Sequence, residues 1–136
     1  MQGDVELDLP GVVTLAWDGG LSSVVVTWRG HATAADFRRL LAVEVASLQR
    51  HAGSRLLADC RLQRRLDQDV QDEADSEWVE QAVGAGLKHF AVVLPDDRDA
   101  AIDVMDRLGR IGRERIEVRF FQDPPAAKGW LKSLDR

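Results

Sequence analysis

Two runs near the start of the chain, residues 12–17 and 24–28, are rich in β-branched and aromatic side chains and are joined through Asp18-Gly19-Gly20. Such runs suit a pleated, half-buried surface. An Asp-Gly pair supplies the positive φ angles of a tight turn, so the two predict an antiparallel hairpin. Ahead of them Val5, Leu7 and Leu9 alternate with Glu6 and Asp8, which predicts a short extra strand. The period then changes from two to a helical one. Thr33-Ala34-Ala35-Asp36 has capping-box spacing with Asp in place of the usual Glu or Gln, and Phe37, Leu40, Leu41, Val45 and Leu48 fall on one helical face. Gly53 stands where that helix closes.

The alternation of period continues. Residues 55–60 read as a strand buried on both faces, and residues 61–71 as a polar loop, long for a strand-to-helix connection and therefore of functional interest. A helix is predicted over 72–83, its first turn acidic as the helix dipole favours. Gly84 and Gly86 end it. A strand over 89–94 follows, then a helix over 98–111 with Ala101, Val104, Met105, Leu108 and Ile111 on one face. The strand 116–121 points Glu117 and Arg119 away from the core, as suits a sheet edge. Pro124 and Pro125 open a last short helix with Trp130, Leu131 and Leu134. Strands joined through helices are parallel with right-handed crossovers, so the pattern predicts an α/β fold. Its mixed sheet is an N-terminal antiparallel hairpin plus a parallel β-α-β part, packed with about four helices.

Composition narrows the function. A chain of 136 residues predicts one domain, 1–136, with 45% hydrophobic and 30% charged residues, ordinary values for a globular protein. The formal net charge of −5 opposes nucleic-acid binding, which needs a clustered positive field. Arg61, Arg64 and Arg65 form a basic run, but Asp67, Asp69, Asp72 and Glu73 follow at once. The single cysteine, Cys60, permits neither an internal disulfide nor a Cys-based zinc cluster. Apolar runs fall far short of the ~20 residues of a membrane span. Residues 1–10 carry Asp4, Glu6 and Asp8 without a basic start, so no signal peptide is expected and the cytoplasm is the expected location.

Several short segments then carry a family likeness. Trp28-Arg29-Gly30 before a helix, a strand ending in Asp59 and Trp78 on the next helix form its first part. Gly86-Leu87-Lys88 leading into Ala91-Val92-Val93, and a closing Phe121 with Ala127 and Trp130-Leu131, form the second. Over about residues 10–134 the chain resembles the SpoIIAA-like proteins, a bacterial group within the STAS superfamily of anti-sigma-factor antagonists. The resemblance implies a STAS-like fold, and a protein partner or a small ligand rather than catalysis. Some relatives of this fold also resemble lipid-exchange domains. One departure matters: anti-sigma antagonists are switched by phosphorylating a serine where a strand meets the following helix. The corresponding segment here, Asp59-Cys60-Arg61-Leu62-Gln63, has no Ser or Thr.

Asp59 is the leading candidate for a site, because ligands of open α/β sheets bind beyond the carboxyl ends of the parallel strands, where neighbouring connections diverge and leave a crevice. It could accept a hydrogen bond from a ligand or act as a base; the competing reading is that it ties down its own loop or pairs with Arg61. The same edge gathers Arg61 and Asp96, with Trp78 as one wall, and these four are the expected binding residues. Cys60 as a nucleophile would need a histidine in reach, and His31, His51 and His89 are expected mostly at the opposite edge, so a buried, inert thiol is expected. An EF-hand loop starting at Asp67 would need Gly sixth and Glu twelfth, and Asp72 and Trp78 stand there, so no metal is expected. Gly84-Ala85-Gly86 lies between a helix and a strand, whereas phosphate cradles lie between a strand and a helix, and no cofactor is implied. Four of the eight aromatic residues are tryptophans. Trp17, Trp28 and Trp130 read as core, and Trp78, flanked by Glu77 and Glu80, as core or as a pocket wall or interface anchor; Trp28 with the hairpin edge, or Trp78 with its helix, could also anchor a homodimer. The expected function is a non-catalytic binding or protein-interaction module, the alternative a carrier of a small apolar ligand such as a lipid held in a cavity beneath the helices.

Overall fold

The computed structural model describes residues 4–64, 77–110 and 115–135. Six strands, β1 (Asp4–Leu9), β2 (Val13–Asp18), β3 (Ser23–Trp28), β4 (Arg55–Asp59), β5 (His89–Val93) and β6 (Glu117–Phe121), form one sheet whose spatial order follows the chain. The pairs β1–β2 and β2–β3 are antiparallel, and β3–β4, β4–β5 and β5–β6 are parallel. The short alternating segment at the start is therefore a strand, with a register shift between Val5 and Leu7.

Four helices follow from the patterns described: α1 (Ala34–His51), α2 (helical over 77–84), α3 (Arg98–Gly109) and α4 (Pro124–Ser133). The capping box forms with Asp as its acidic member. The Asp36 amide donates to Thr33 Oγ1 at 3.1 Å, and the Thr33 amide donates to Asp36 Oδ2 at 3.3 Å. Residues 72–76, expected to begin α2, and Ile111 and Gly112 lie outside the described residues. On α3 the buried residues are Ala100, Val104 and Leu108, whereas Met105 is 40% exposed. Ala101 and Met105 supplied a second apolar series one position on, and the alanine at position 100 was enough for the true one.

The hairpin turn departs from expectation. Neither Gly19 nor Gly20 adopts a positive φ; Ser22 does, at 51°. Asp18 Oδ1 accepts from the amides of Gly20 and Leu21 at 2.9 and 3.2 Å, and this side-chain turn stands in for the backbone geometry that Asp-Gly promised. The longer loop tucks Leu21, 2% exposed, beneath the sheet. At the end of α1 the left-handed cap is Ala52 (φ 49°), while Gly53 is needed for packing: a Cβ there would lie 2.9 Å from Trp17 Cζ3.

Alternation along the strands sorts the core into two layers. Val24, Val26, Leu56, Ala58, Phe90 and Val92 face α1, α2 and α3. Leu57, Ala91 and Val93 face α4, against Ala127 and Leu131. All three helices that connect the parallel strands thus pack on the same face. This corrects the expected reason for a crevice there: strand order never reverses and the connecting helices share one face, so the carboxyl edge has no switch point. Trp28 and Trp78 are each 4% exposed, within the first core layer, so neither can anchor a contact between copies of the chain. Trp17 and Trp130 are half-buried. Trp17 stacks on His51 at 4.3 Å, and His51 Nε2 meets Glu6 Oε2 at 2.7 Å, which fastens β1 to the end of α1.

The Trp28-Arg29-Gly30 segment gains a physical reason. The amides of Arg29 and Gly30 both donate to the Val12 carbonyl, at 2.8 and 3.2 Å, and pull this segment onto the 10–12 turn. A Cβ on Gly30 would stand 2.6 Å from the Gly11 carbonyl oxygen, a backbone atom that cannot rotate away. Gly30→Ala is expected to cost about 1–3 kcal/mol of stability, read from the midpoint of urea unfolding. An unchanged midpoint would refute the close approach.

Candidate functional site

Beyond the ends of β4 and β5 the chain turns back on itself. The Cys60 amide donates to the Val93 carbonyl at 2.9 Å, the Gln63 amide to the Cys60 carbonyl at 3.0 Å, and the Asp96 amide to the Arg61 carbonyl at 3.1 Å. These bonds lay the 60–63 turn beside residues 94–97. Asp97 caps α3, accepting from the Ala100 amide at 2.9 Å.

Three of the four expected site residues come together here. Asp59 holds Arg61 in a two-pronged pair: Nη2 donates to Oδ2 at 2.8 Å and Nε to Oδ1 at 3.0 Å, and the Arg61 backbone amide donates to Oδ1 at 3.2 Å. The hydrogen bonds from Asp59, then its charge and more weakly that of Asp96, raise the pKa of Arg61. Asp59 therefore ties down its own loop and aims an arginine. Its carboxylate oxygens are both engaged, which suits a positioning group better than a base. Asp59→Ala is expected to cost roughly 1 kcal/mol, since the Arg61 partner is largely exposed and its pairing is screened by water. Urea unfolding measures it, and a loss of 3 kcal/mol or more would give Asp59 a deeper structural role than a loop anchor has.

Between the 61–64 turn and the start of α3 lies a groove of about 580 Å3. Arg61, Leu62 and Arg64 line one side, and Asp96, Asp97 and Asp99 the other. Leu62 is 57% exposed, an apolar side chain set between charges of both signs.

Trp78 is not part of this groove. Its ring packs against Phe90 with centroids 6.0 Å apart, on the face of the sheet that α1 covers. There it lines a second, inner cavity of about 40 Å3, together with Trp28, Phe37 and Phe90. Glu44 and Gln63, 5% and 7% exposed, are buried polar residues of the same cavity. Arg107 places its guanidinium carbon 5.9 Å from the centre of the Phe37 ring. No protein group among the described residues meets Gln63 Oε1 or Trp78 Nε1. The sequence reading missed these polar residues. Glu44 had left a signal, as the one acidic residue inside the apolar stripe of α1, whereas nothing about Gln63 distinguished it in a polar run.

Cys60 also lines the cavity. Burial pushes its thiol up to about 12, and the charges of Asp59 and Glu44 push the same way against that of Arg107. The expected buried thiol is what stands there, and a thiol held neutral at physiological pH is a weak nucleophile, because the thiolate is the reactive form. In the folded protein at pH 8 a disulfide reagent such as dithionitrobenzoate should react with Cys60 at least a hundredfold more slowly than in urea; equal rates would overturn its burial. His31 is exposed just beyond the carboxyl end of β3, at the Cys60 edge and not the opposite one, while His51 and His89 lie at the other end. Among the described residues no three His, Cys, Asp or Glu side chains form a metal-holding group, and no helix is long and apolar enough to cross a membrane.

The six-stranded mixed sheet with its four helices is that of the STAS fold. The SpoIIAA-like family model matches residues 23–132, from the start of β3 into α4. The chain belongs to the SpoIIAA-like family. That is the STAS-type anti-sigma-factor antagonist family, and membership implies a protein-interaction module. In this SpoIIAA-like chain β1 and β2 precede the matched region, so the antiparallel side of the sheet and its Glu6–His51 fastening lie largely outside the family pattern. A comparison with curated proteins gives no match.

Proposed function

We propose that this SpoIIAA-like chain is a non-catalytic binding module whose protein partner seats at the carboxyl edge of the parallel strands, in the groove beside Arg61 and Asp96. The observation that carries this reading is the groove itself: an exposed Leu62 on a basic wall that faces an acidic wall, with Arg61 held in place by Asp59. A small apolar anchor ringed by charges is the composition of a protein-binding patch, in which the apolar centre supplies affinity and the rim selects the partner. A pre-aimed arginine loses less rotamer freedom when a partner carboxylate arrives. Asp59, with both oxygens engaged, and Cys60, held neutral, favour binding over catalysis. Because residues 59–63 carry no hydroxyl, we read the module as one not switched by phosphorylation at this turn.

The alternative, a carrier of a small apolar ligand, has the inner cavity in its favour. At about 40 Å3 that cavity is far below the roughly 300 Å3 or more that surrounds an ordinary bound organic ligand, and it carries buried polar groups an acyl chain cannot satisfy. Affinity capture from an extract of the native cells tests the choice. Partners retained by the wild type and by Lys88→Glu, at the other end of the sheet, but lost by Arg61→Glu support the proposal. Partners retained by Arg61→Glu and lost by Lys88→Glu would place the interface at the wrong end.

A further inference from the structure

With Trp28 and Trp78 in the core, contact between copies of the chain needs another surface, and the two edges of the sheet differ in what they offer. A strand edge presents unpaired backbone donors and acceptors, which proteins blunt with bulges and charges. At β1 both devices are present. Its register with β2 shifts between Val5 and Leu7, and its alternate residues Asp4, Glu6 and Asp8 all carry one sign. By contrast, β6 pairs with β5 without a shift over all five of its residues, and its two charges, Glu117 and Arg119, are of opposite sign and share one face. The Glu117 amide donates to the Lys88 carbonyl at 2.8 Å, and the Phe121 carbonyl accepts from the Leu94 amide at 2.9 Å. Residues 117, 119 and 121 thus turn their backbone groups toward β5. Those of Val118 and Phe120 turn outward, where no described residue pairs with them. On α3, which packs over this strand, Ile102 and Met105 are 51% and 40% exposed. They lie on the opposite side of the helix from Arg107, which reaches Phe37 of α1, and so toward the open edge.

We propose that β6 is the seat of a homodimer, in which two copies of the chain pair this strand antiparallel about a two-fold axis at Val118. Charge complementarity selects that register. It sets Glu117 opposite the partner's Arg119, and Arg119 opposite the partner's Glu117, at the non-hydrogen-bonded positions where facing side chains come closest. Val118 exchanges both of its outward backbone bonds with the partner's Val118. Moving the axis one residue either way sets glutamate against glutamate or arginine against arginine. A perpendicular axis keeps both α3 helices on the same face of the joined sheet, with Ile102 and Met105 flanking the seam. The contact is isologous and closes at two copies. None of these residues lines the carboxyl-edge groove, so the dimer stands whether or not a partner uses that groove.

Sedimentation equilibrium of the full chain tests the proposal. The wild type is expected to show a reversible monomer–dimer equilibrium with a dissociation constant on the order of 10 μM, as suits a contact of modest size. Glu117→Arg and Arg119→Glu each place like charges across the axis and should weaken the dimer about tenfold. An equal mixture of the two variants restores both opposite-sign pairs. It should recover near wild-type affinity, with the mixed dimer visible by native mass spectrometry. A wild type that stays monomeric at every concentration would overturn the dimer. Variants that dimerise as well as the wild type, or a mixture that recovers nothing, would overturn its seat on β6. Circular dichroism checks each fold. Should either charge variant fail to fold, Val118→Pro, which removes the outward amide on the axis and no bond to β5, takes its place, and a persisting Val118→Pro dimer would overturn the proposal.

Discussion

Trp78→Ala is expected to cost about 3–5 kcal/mol, a large part of the stability of a domain this size. The indole is 4% exposed, packs on Phe90 and closes one side of the inner cavity, so its removal joins the lost ring volume to space already there. The midpoint of urea unfolding should fall accordingly, with loss of near-ultraviolet dichroism at lower temperature. Trp78→Phe keeps most of the ring and should cost well under half as much, ~1–1.5 kcal/mol. A loss below 1 kcal/mol for the alanine variant would mean that Trp78 is a surface platform after all. The size of the expected loss has a consequence for binding studies: weakened capture by Trp78→Ala reports a damaged core and not a contact surface.

Leu62→Asp should do the opposite. With 57% of its surface exposed and no core contact, Leu62 can be exchanged within about 0.5 kcal/mol of stability. If the groove seats the partner, placing a carboxylate across from Asp96, Asp97 and Asp99 removes the apolar anchor and adds negative charge to the groove. Partner affinity should fall by at least tenfold, about 1.4 kcal/mol or more. Titration of the captured partner measures this. An unchanged dissociation constant in a folded variant would remove Leu62 from the interface.

Much of the fold was legible because local chemistry and burial agreed. The capping box at Thr33, the doubly buried run before Cys60 and the proline start of α4 each had one physical solution. The failures have specific causes. Asp18 satisfies its turn through its side chain, which an Asp-Gly reading overlooks. Ala101 and Met105 are as apolar as the residues actually buried on α3, so hydrophobicity alone could not choose the face. The side of the sheet taken by each crossover depends on packing between distant elements, and the expected divergence of the connections failed there. Trp78, flanked by Glu77 and Glu80, could be read as core or as a pocket wall; it lies in the core, and the two glutamates occupy the exposed side of the same turn. Of the expected site, Asp59, Arg61 and Asp96 were readable from their positions at strand ends, which topology brings together. The polar lining of the cavity was not, since Gln63 and Arg107 reach the same cavity only through tertiary packing.

Hydrogen–deuterium exchange of the chain with and without its captured partner tests whether the partner seats at the carboxyl edge. Binding is expected to slow exchange in residues 61–64 and 96–100, and to leave the 53–55 and 86–89 segments at the other end of the sheet unchanged. Protection confined to that other end, or to the edge strands β1 and β6, would contradict it.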